Sequence, residues 1–178
     1  SGKGKALMFA EGDPHAGMLA SLEETGSAFN LQIYEETTKT AFTALVQRAP
    51  EAEIVFYIDV GDTFHAPDNK SRTPRSGHPL DTAARFIDMV ECNLRVKIFQ
   101  IEVNPGNHDE HTATMLGMIL QATYKENPRV TVDAGANPYW YYKIGKVMLC
   151  STHGDGPKMA DIPRIMATDE KEMWGQTD

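Results

Sequence analysis

Residues 53–60 read Glu-Ile-Val-Phe-Tyr-Ile-Asp-Val, and Gly61-Asp62 follows at once. The five positions from Ile54 to Ile58 are all apolar or aromatic, without the alternation that marks a half-exposed strand. An unbroken apolar run of this length is typical of a strand that is covered on both faces, as in the middle of a parallel sheet. We therefore expect a central strand over residues 53–60, and the rest of the fold is built around it.

Strands and helices alternate on both sides of this segment. Further strands are predicted over 6–10, 96–103, 130–132, 139–143 and 146–151, the last two as a hairpin that turns near Gly145. Helices are predicted over 38–48, 81–94, 112–125 and 162–168, and residues 65–79 are expected to form a long polar loop. This alternation indicates an α/β fold with helices packed on a sheet, in which ligands bind beyond the carboxyl ends of the strands.

Smaller features refine this picture. The first helix, which Pro50 ends, is expected to pack through one apolar face, formed by Ala41, Phe42, Leu45 and Val46. The chain has two cysteines, Cys92 in a predicted helix and Cys150 in a predicted buried strand, and both are expected to be small core residues. A disulfide-rich secreted domain would have more cysteines, so a cytoplasmic protein is expected.

The composition limits the classes of protein to consider. The chain has 178 residues, which suits one domain over residues 1–178. No apolar run approaches the roughly 20 residues that cross a bilayer, so no membrane partner is expected. The net charge of −8 disfavours broad electrostatic binding of nucleic acid. It does not exclude a nuclease, because carboxylates that bind divalent cations also make a sequence acidic.

Polar clusters follow four of the predicted strands. They are Asp13-Pro14-His15 after the first, Gly61-Asp62 with His65 after the second, Gly106-Asn107-His108-Asp109 after the third, and His153-Gly154-Asp155 after a late one. Four of the six histidines lie in these clusters. Each cluster taken alone has an ordinary explanation, such as a cap, a turn or a loop histidine. The Gly106–Asp109 cluster is the most specific of them, and all four in this order on an α/β pattern indicate one shared site.

The residue types favour a metal centre. Divalent cations take carboxylate oxygen, imidazole nitrogen or amide oxygen as ligands. On an extended backbone Asp13 and His15 would point the same way and reach one ion. Gly61 and Gly106 would permit the tight turns that aim Asp62 and Asn107 at the sheet edge. Two ions sharing one carboxylate would lie roughly 3.5–4 Å apart, a spacing that suits phosphoryl chemistry.

The order Asp-x-His, Gly-Asp, Gly-Asn-His-Asp and His-Gly resembles the calcineurin-like metallophosphoesterase superfamily over nearly the whole chain. The details resemble a phage and prophage subgroup described as DNA repair exonuclease-like. The resemblance implies a two-sheet sandwich flanked by helices. It also implies two divalent metal ions, with Mn²⁺ first and Fe, Zn²⁺ or Mg²⁺ as alternatives, and a phosphate-ester substrate, which could be DNA.

The resemblance also assigns a role to each matching residue. Asp13 and His15 match ligands of the first metal, Asp62 the bridging carboxylate, and Asn107 and His153 ligands of the second metal. His108 matches the histidine that approaches the scissile phosphate, and Asp109 the acidic residue that orients it. His65 and Asp155 are candidates for supporting positions beside these ligands. The family's late Gly-His-x-His, which adds one histidine to each metal, has no match, so a C-terminal truncation is expected.

The hypothesis for the intact protein is hydrolysis of phosphate esters by a metal-bridging hydroxide, with His108 as proton donor to the leaving group. Lys70, Arg72 and Arg75 are candidate phosphate contacts or part of a solvated loop. The alternative is a catalytically impaired or non-catalytic scaffold or binding protein that keeps the fold.

Overall fold

The computed structural model describes residues 4–65, 75–76 and 98–178. Its centre is a four-stranded parallel sheet of β1 (Ala6–Glu11), β3 (Ile54–Asp59), β5 (Ile98–Val103) and β6 (Val130–Asp133), in the spatial order β1-β3-β5-β6. The carboxyl ends of β1, β3 and β5 are level, since Glu11 pairs with Asp59 and Asp59 with Val103. This register confirms the α/β class and the central position of the strand predicted over 53–60.

Among the described residues, two small antiparallel pairs accompany the main sheet. One joins β2 (Met18–Leu19) to β4 (Arg75–Ser76), and the other joins β7 (Trp140–Ile144) to β8 (Val147–Ser151). The hairpin predicted near Gly145 is confirmed, and Gly145 has a positive φ of 57° at its turn. The prediction of loop throughout 65–79 is wrong at Arg75–Ser76, because a two-residue bridge carries no periodic signal in a sequence.

The helices are α1 (Leu22–Thr25), α2 (Leu31–Arg48), α3 (Glu110–Tyr124), α4 (Ile162–Asp169) and α5 (Lys171–Trp174), with a 3₁₀ turn at Met159–Asp161. Helix α2 begins seven residues before its predicted start, where the Asn30 side chain accepts a hydrogen bond from the Ile33 amide. It ends where Pro50 forces Ala49 into an extended conformation. The helices predicted over 112–125 and 162–168 are confirmed.

The core lies on both faces of β3. On one face Val55 and Tyr57 join a cluster that includes Leu116 and Leu120 of α3. On the other face Phe56 and Ile58 meet the hairpin, where the Phe56 ring lies 5.9 Å from that of Trp140 and 4.8 Å from that of Tyr142. Burial of both faces explains why the strand sequence is apolar without alternation.

The predicted apolar face of α2 is wrong in part. Leu45 and Val46 are 51% and 44% exposed, whereas Tyr34 and Thr38 are buried and Phe42 packs beside them. Residues 34, 38 and 42 follow one another by four, so they form a single helical stripe. Leu45 and Val46 lie off this stripe.

Other expectations have mixed outcomes. Cys150 lies in β8 as predicted but is only half-buried, because the hairpin is covered incompletely. Some predictions lie outside the described residues, namely those for Cys92, Lys70, Arg72 and the helix over 81–94. Across residues 4–65, 75–76 and 98–178, no helix combines the length and apolarity that crossing a membrane requires.

The buried carboxyl of Glu102 in β5 gives the sheet a pH dependence. Glu102 is 4% exposed, and burial, followed by repulsion from Asp133 and Asp59, raises its pKa to about 9. A raised pKa means that the folded chain holds a proton which the unfolded chain releases above about pH 4.5. The contribution of Glu102 to the free energy of unfolding is therefore fully present below about pH 4.5, and it is lost as the pH rises towards 9.

We predict that Glu102→Gln removes this loss. Between pH 6 and pH 9 the free energy of unfolding of the wild type should fall by about 1–3 kcal/mol more than that of the variant. Urea unfolding at both pH values measures the difference, with Glu126→Gln as the control on an exposed carboxylate. Equal pH dependence in wild type and Glu102→Gln would contradict the assignment.

Candidate metal centre

The loops after β1 and β3 are hydrogen-bonded to each other. The Asp13 amide donates to the Gly61 carbonyl at 3.2 Å, and the His15 amide donates to the Asp62 carbonyl at 3.0 Å. The next residue, Ala16, continues the pattern with a bond to Thr63. These contacts extend the parallel pairing beyond the strands and hold the first two polar clusters side by side.

Two glycines allow the loops to approach closely. A Cβ added to Gly106 would lie 2.1 Å from Asp62 Oδ1, and one added to Gly61 would lie 2.7 Å from His153 Nδ1. Gly61 also has a φ of +103°, which a side chain rarely adopts. The prediction that a glycine permits a tight turn before Asp62 is supported by the φ of Gly61. The glycine before Asn107 is instead explained by the closeness of Gly106 to Asp62.

Three residues of the predicted metal site have positive φ angles. They are Asp13 (52°), His15 (45°) and Asp62 (54°), and they are the only described non-glycine residues with such angles. The expectation that Asp13 and His15 share a direction on extended backbone is therefore wrong. Asp and His tolerate the left-handed region better than most residues, and such conformations concentrate at functional sites.

Three of the predicted ligands converge. Asp13, Asp62 and His153 each offer an atom, and these atoms lie within 4.8 Å of one another. A fourth predicted ligand adjoins them, since Asn107 Oδ1 lies 2.9 Å from His153 Nε2. Asp62 Oδ2 lies 3.4 Å from the same nitrogen. Residues from four separate strand ends thus meet at one point.

The contacts of the His153 ring indicate which of its two nitrogens carries the hydrogen. Its Nδ1 lies 3.0 Å from the Val60 carbonyl oxygen, which can only accept, so Nδ1 carries a hydrogen. In the neutral ring Nε2 then presents a lone pair. That lone pair faces Asn107 Oδ1 and Asp62 Oδ2, which also present lone pairs. A metal ion between these atoms would stabilise such an arrangement.

His15 lies beside this group without joining it. Its Nδ1 atom is buried and has no hydrogen-bond partner. Its ring centroid lies 5.5 Å from that of His65 and 6.1 Å from that of His108. An unpartnered buried imidazole nitrogen is chemically suited to bind a cation. The rings of His65 and His108 thus lie next to that of His15 on one side of the site.

The carboxylate of Asp109 holds the loops together. Its Oδ1 accepts hydrogen bonds from the amides of Asp62 (3.2 Å) and Gly106 (3.0 Å), and its Oδ2 accepts one from the amide of Phe64 (3.1 Å). Sequence reasoning missed this role. Its predicted role, to orient His108, stays a prediction.

Asp59 supports the same turn and was also missed. It is 1% exposed, its Oδ1 accepts from the Gly61 amide at 3.0 Å, and its Oδ2 accepts from the Thr63 hydroxyl. Burial raises its pKa to about 7, although those two hydrogen bonds lower it. Its place in the apolar run over 53–60 was the only available signal, because a carboxylate there must have partners.

Several buried acids are concentrated at the site. Asp59, Asp62 and Asp109 are at most 2% exposed. Within the described part of the chain, the only salt-bridge partner that any of the three has is His153, which lies beside Asp62. Burial of several carboxylates without Lys or Arg beside them is costly unless a cation lies nearby. The electrostatics therefore favour a bound metal.

The remaining predicted residues lie around this centre. His65 is buried at 5% exposure beside His15, whereas His108 is exposed and its amide donates to Asp62 Oδ1 at 2.9 Å. Asp155 is exposed, and the described bonds of the His153 ring go to Val60 and Asn107. The supporting roles suggested for His65 and Asp155 stay predictions.

Comparisons with known proteins add no assignment. The chain matches no family model, and neither a curated protein nor a solved structure is significantly similar to it. Any function must therefore be argued from the arrangement of these side chains.

We predict that Asp109→Asn destabilises the fold. The amide offers one acceptor oxygen where three backbone amides need acceptors, and its NH₂ group would face other donors. The free energy of unfolding should fall by about 1–3 kcal/mol, measured by urea denaturation. Glu110→Gln, the same chemical change at the exposed neighbouring residue, is the control. If both variants are equally stable, Asp109 does not hold the loops.

Proposed function

We propose that the chain is a metal-dependent phosphoesterase of the calcineurin-like metallophosphoesterase type. The observation that carries the proposal is the convergence of Asp13, Asp62 and His153, with Asn107 alongside, at the carboxyl edge of a parallel sheet. These are residue types and an order that resemble that superfamily.

The residues present fit a divalent metal centre. The side chains that would hold the ions are those of Asp13, His15, Asp62, Asn107 and His153. The unpartnered Nδ1 of His15 and the facing lone pairs around His153 both support this fit. The donor set of oxygen and nitrogen is compatible with Mn²⁺, Fe, Zn²⁺ or Mg²⁺, and the resemblance puts Mn²⁺ first. When bound, such ions lower the pKa of water and neutralise phosphate oxygens.

His108 is the proposed proton donor to the leaving group. Its amide is fixed by Asp62 Oδ1, its side chain is exposed, and its ring lies 6.1 Å from that of His15. An exposed imidazole at the rim of a ligand cluster can reach a substrate that the cluster binds. General acid catalysis by a positioned histidine contributes about 10²–10⁴-fold to a rate.

The finer fold assignment is part of the same proposal. The β7–β8 hairpin covers the second face of β3 through Trp140 and Tyr142. A second layer at this place supports the two-sheet sandwich that the resemblance implies. The described residues of the hairpin would form one edge of that second sheet.

The proposed substrate is a phosphodiester, with DNA first. The choice of DNA rests on the resemblance to phage-type exonuclease-like proteins. A net charge of −8 disfavours a broad nucleic-acid interface, so contact would be local to the metal centre.

A second candidate is a non-catalytic metal-binding or scaffold protein. It is favoured by one observation, that three carboxylate and imidazole ligands surround a single position. A protein of this kind would bind one ion and would not depend on His108.

Cleavage of bis(p-nitrophenyl) phosphate with Mn²⁺ separates the two candidates. We predict Mn²⁺-dependent turnover that falls about 10²-fold or more in His108→Ala, while the Mn²⁺ affinity measured by calorimetry is unchanged. Asp62→Asn should lose both. His111→Ala, an exposed histidine in the first turn of α3, is the matched control.

The contrary results are equally specific. Mn²⁺ binding without turnover would favour the scaffold candidate, and loss of Mn²⁺ binding in His108→Ala would contradict the role given to that residue. Parallel assays on single- and double-stranded DNA of equal length test the substrate. Cleavage of the small ester but of neither DNA would support the phosphoesterase proposal and contradict the choice of DNA as substrate.

A further inference from the structure

The hairpin that precedes His153 is not part of the parallel sheet. In the described residues β8 pairs with β7 alone, and the hairpin lies against β3 through apolar contacts, among them those of Phe56 and Ile58 with Trp140. Apolar packing is non-directional, so by itself it fixes the position of the hairpin along the strands only loosely. The placement of His153 beside Asp62 therefore needs a directional contact near the end of β8.

Asn104 supplies a contact of this kind. It follows β5, and its side chain is fully buried. Its Nδ2 atom donates one hydrogen bond to the Asp59 carbonyl oxygen at 2.9 Å and another to the Ser151 hydroxyl oxygen. Asp59 and Ser151 are the last residues of β3 and β8. One carboxamide therefore joins the ends of β3 and β8 to the end of β5.

The chemistry of these partners requires an amide group at this position. A carbonyl oxygen can only accept, and that of Asp59 also accepts from the Asn104 backbone amide at 3.0 Å. The NH₂ group of Asn104 has two hydrogens, one for each of its two partners. An aspartate of the same shape would instead place a carboxylate oxygen against the Asp59 carbonyl oxygen.

Stability alone does not account for the Asn104 side chain. Its Oδ1 atom is buried and has no hydrogen-bond partner. A buried acceptor without a donor is unfavourable, and an apolar residue at this position would avoid it. The unfavourable half of the amide indicates that its donating half has a role beyond filling space.

His153 is the residue that this contact would place. It lies two residues after Ser151, with Nδ1 3.0 Å from the Val60 carbonyl oxygen and Nε2 2.9 Å from Asn107 Oδ1. The bond to Val60 orients the ring, and the bond from Asn104 to Ser151 fixes the main chain just before it. Metal–ligand distances vary by only about 0.2 Å, so a larger movement of His153 would weaken a metal site.

We propose that Asn104 is a positioning residue of the metal centre, which places His153 by fixing the end of β8 to the end of β3. Asn104 itself would bind neither the ion nor the substrate. The inference rests on the metal site of the proposed function and makes no use of turnover. Removal of the amide should therefore change the state of His153 and the affinity for Mn²⁺ in a chain that still folds.

The tautomer of His153 reports its position without any metal. Long-range ¹H–¹⁵N spectra of the metal-free chain distinguish a hydrogen on Nδ1 from one on Nε2. At about pH 8.5, above the usual pKa of histidine in peptides, the wild type should have the hydrogen on Nδ1, because Nδ1 faces the Val60 carbonyl oxygen. Asn104→Ala should show a mixture of both tautomers.

The affinity for Mn²⁺, measured by calorimetry, is the second readout. It should fall about tenfold or more in Asn104→Ala and in the isosteric Asn104→Asp. Ser151→Ala removes the hydroxyl and should act in the same direction, whereas Ser151→Thr keeps it and should retain the wild-type behaviour. Ile58→Val, which removes one methylene from the apolar contact with the hairpin and no hydrogen bond, is the matched control and should change neither readout.

Three results would overturn the proposal. They are a tautomer mixture at His153 already in the wild type, an unchanged tautomer and Mn²⁺ affinity in both Asn104→Ala and Ser151→Ala, and an equal change in Ile58→Val, which would indicate general loosening of the fold. Should Asn104→Ala fail to fold, the comparison of Ser151→Ala with Ser151→Thr decides. A wild type that binds no Mn²⁺ would instead contradict the proposed function, and the tautomer measurement would still decide the role of Asn104.

Discussion

The site depends on one buried carboxylate, that of Asp109. Its two oxygens accept backbone hydrogen bonds from Asp62 and Phe64 on one loop and from Gly106 on another. These loops follow neighbouring parallel strands whose carboxyl ends are level. A buried acceptor shared by three amides fixes their separation more tightly than sheet pairing alone, because any displacement would leave a buried donor unpaired. The positions of Asp62 and Asn107 follow from this constraint.

The same closeness explains the unusual backbone and the accumulated charge. Asp62 can meet Gly106 only because Gly106 has no side chain, and Asp62 itself has a positive φ. The carboxylates of Asp59 and Asp109 are also buried, and they accept hydrogen bonds from the backbone amides of the same turn. The result is a rigid set of oxygen and nitrogen acceptors with a local excess of negative charge. Protein sites of this character are stabilised by bound cations, whose charge reverses the local electrostatics.

The sequence predicted the parts of this arrangement that depend on local pattern. The apolar run over 53–60 located β3, and polar clusters after strands located Asp13, Asp62 and Asn107, because parallel strands bring their carboxyl ends to one edge. His153 follows a strand of the antiparallel hairpin, so this rule does not explain its position. The start of α2 was missed because its first turns carry few apolar residues, although Asn30 was a usable cap.

The parts that were missed depend on contacts between distant loops. The three amides bound by Asp109 include two that lie 45 and 47 residues away, and the His153–Val60 bond joins residues 93 apart. The sign of φ at Asp13 and His15 likewise has no signature in residue spacing.

The most direct test of the metal centre is a structure from crystals grown with Mn²⁺, with anomalous diffraction to locate the ion. We expect an anomalous peak bounded by Asp13, Asp62 and His153. A structure in which these side chains point apart, or in which Mn²⁺ binds only elsewhere, would contradict the account.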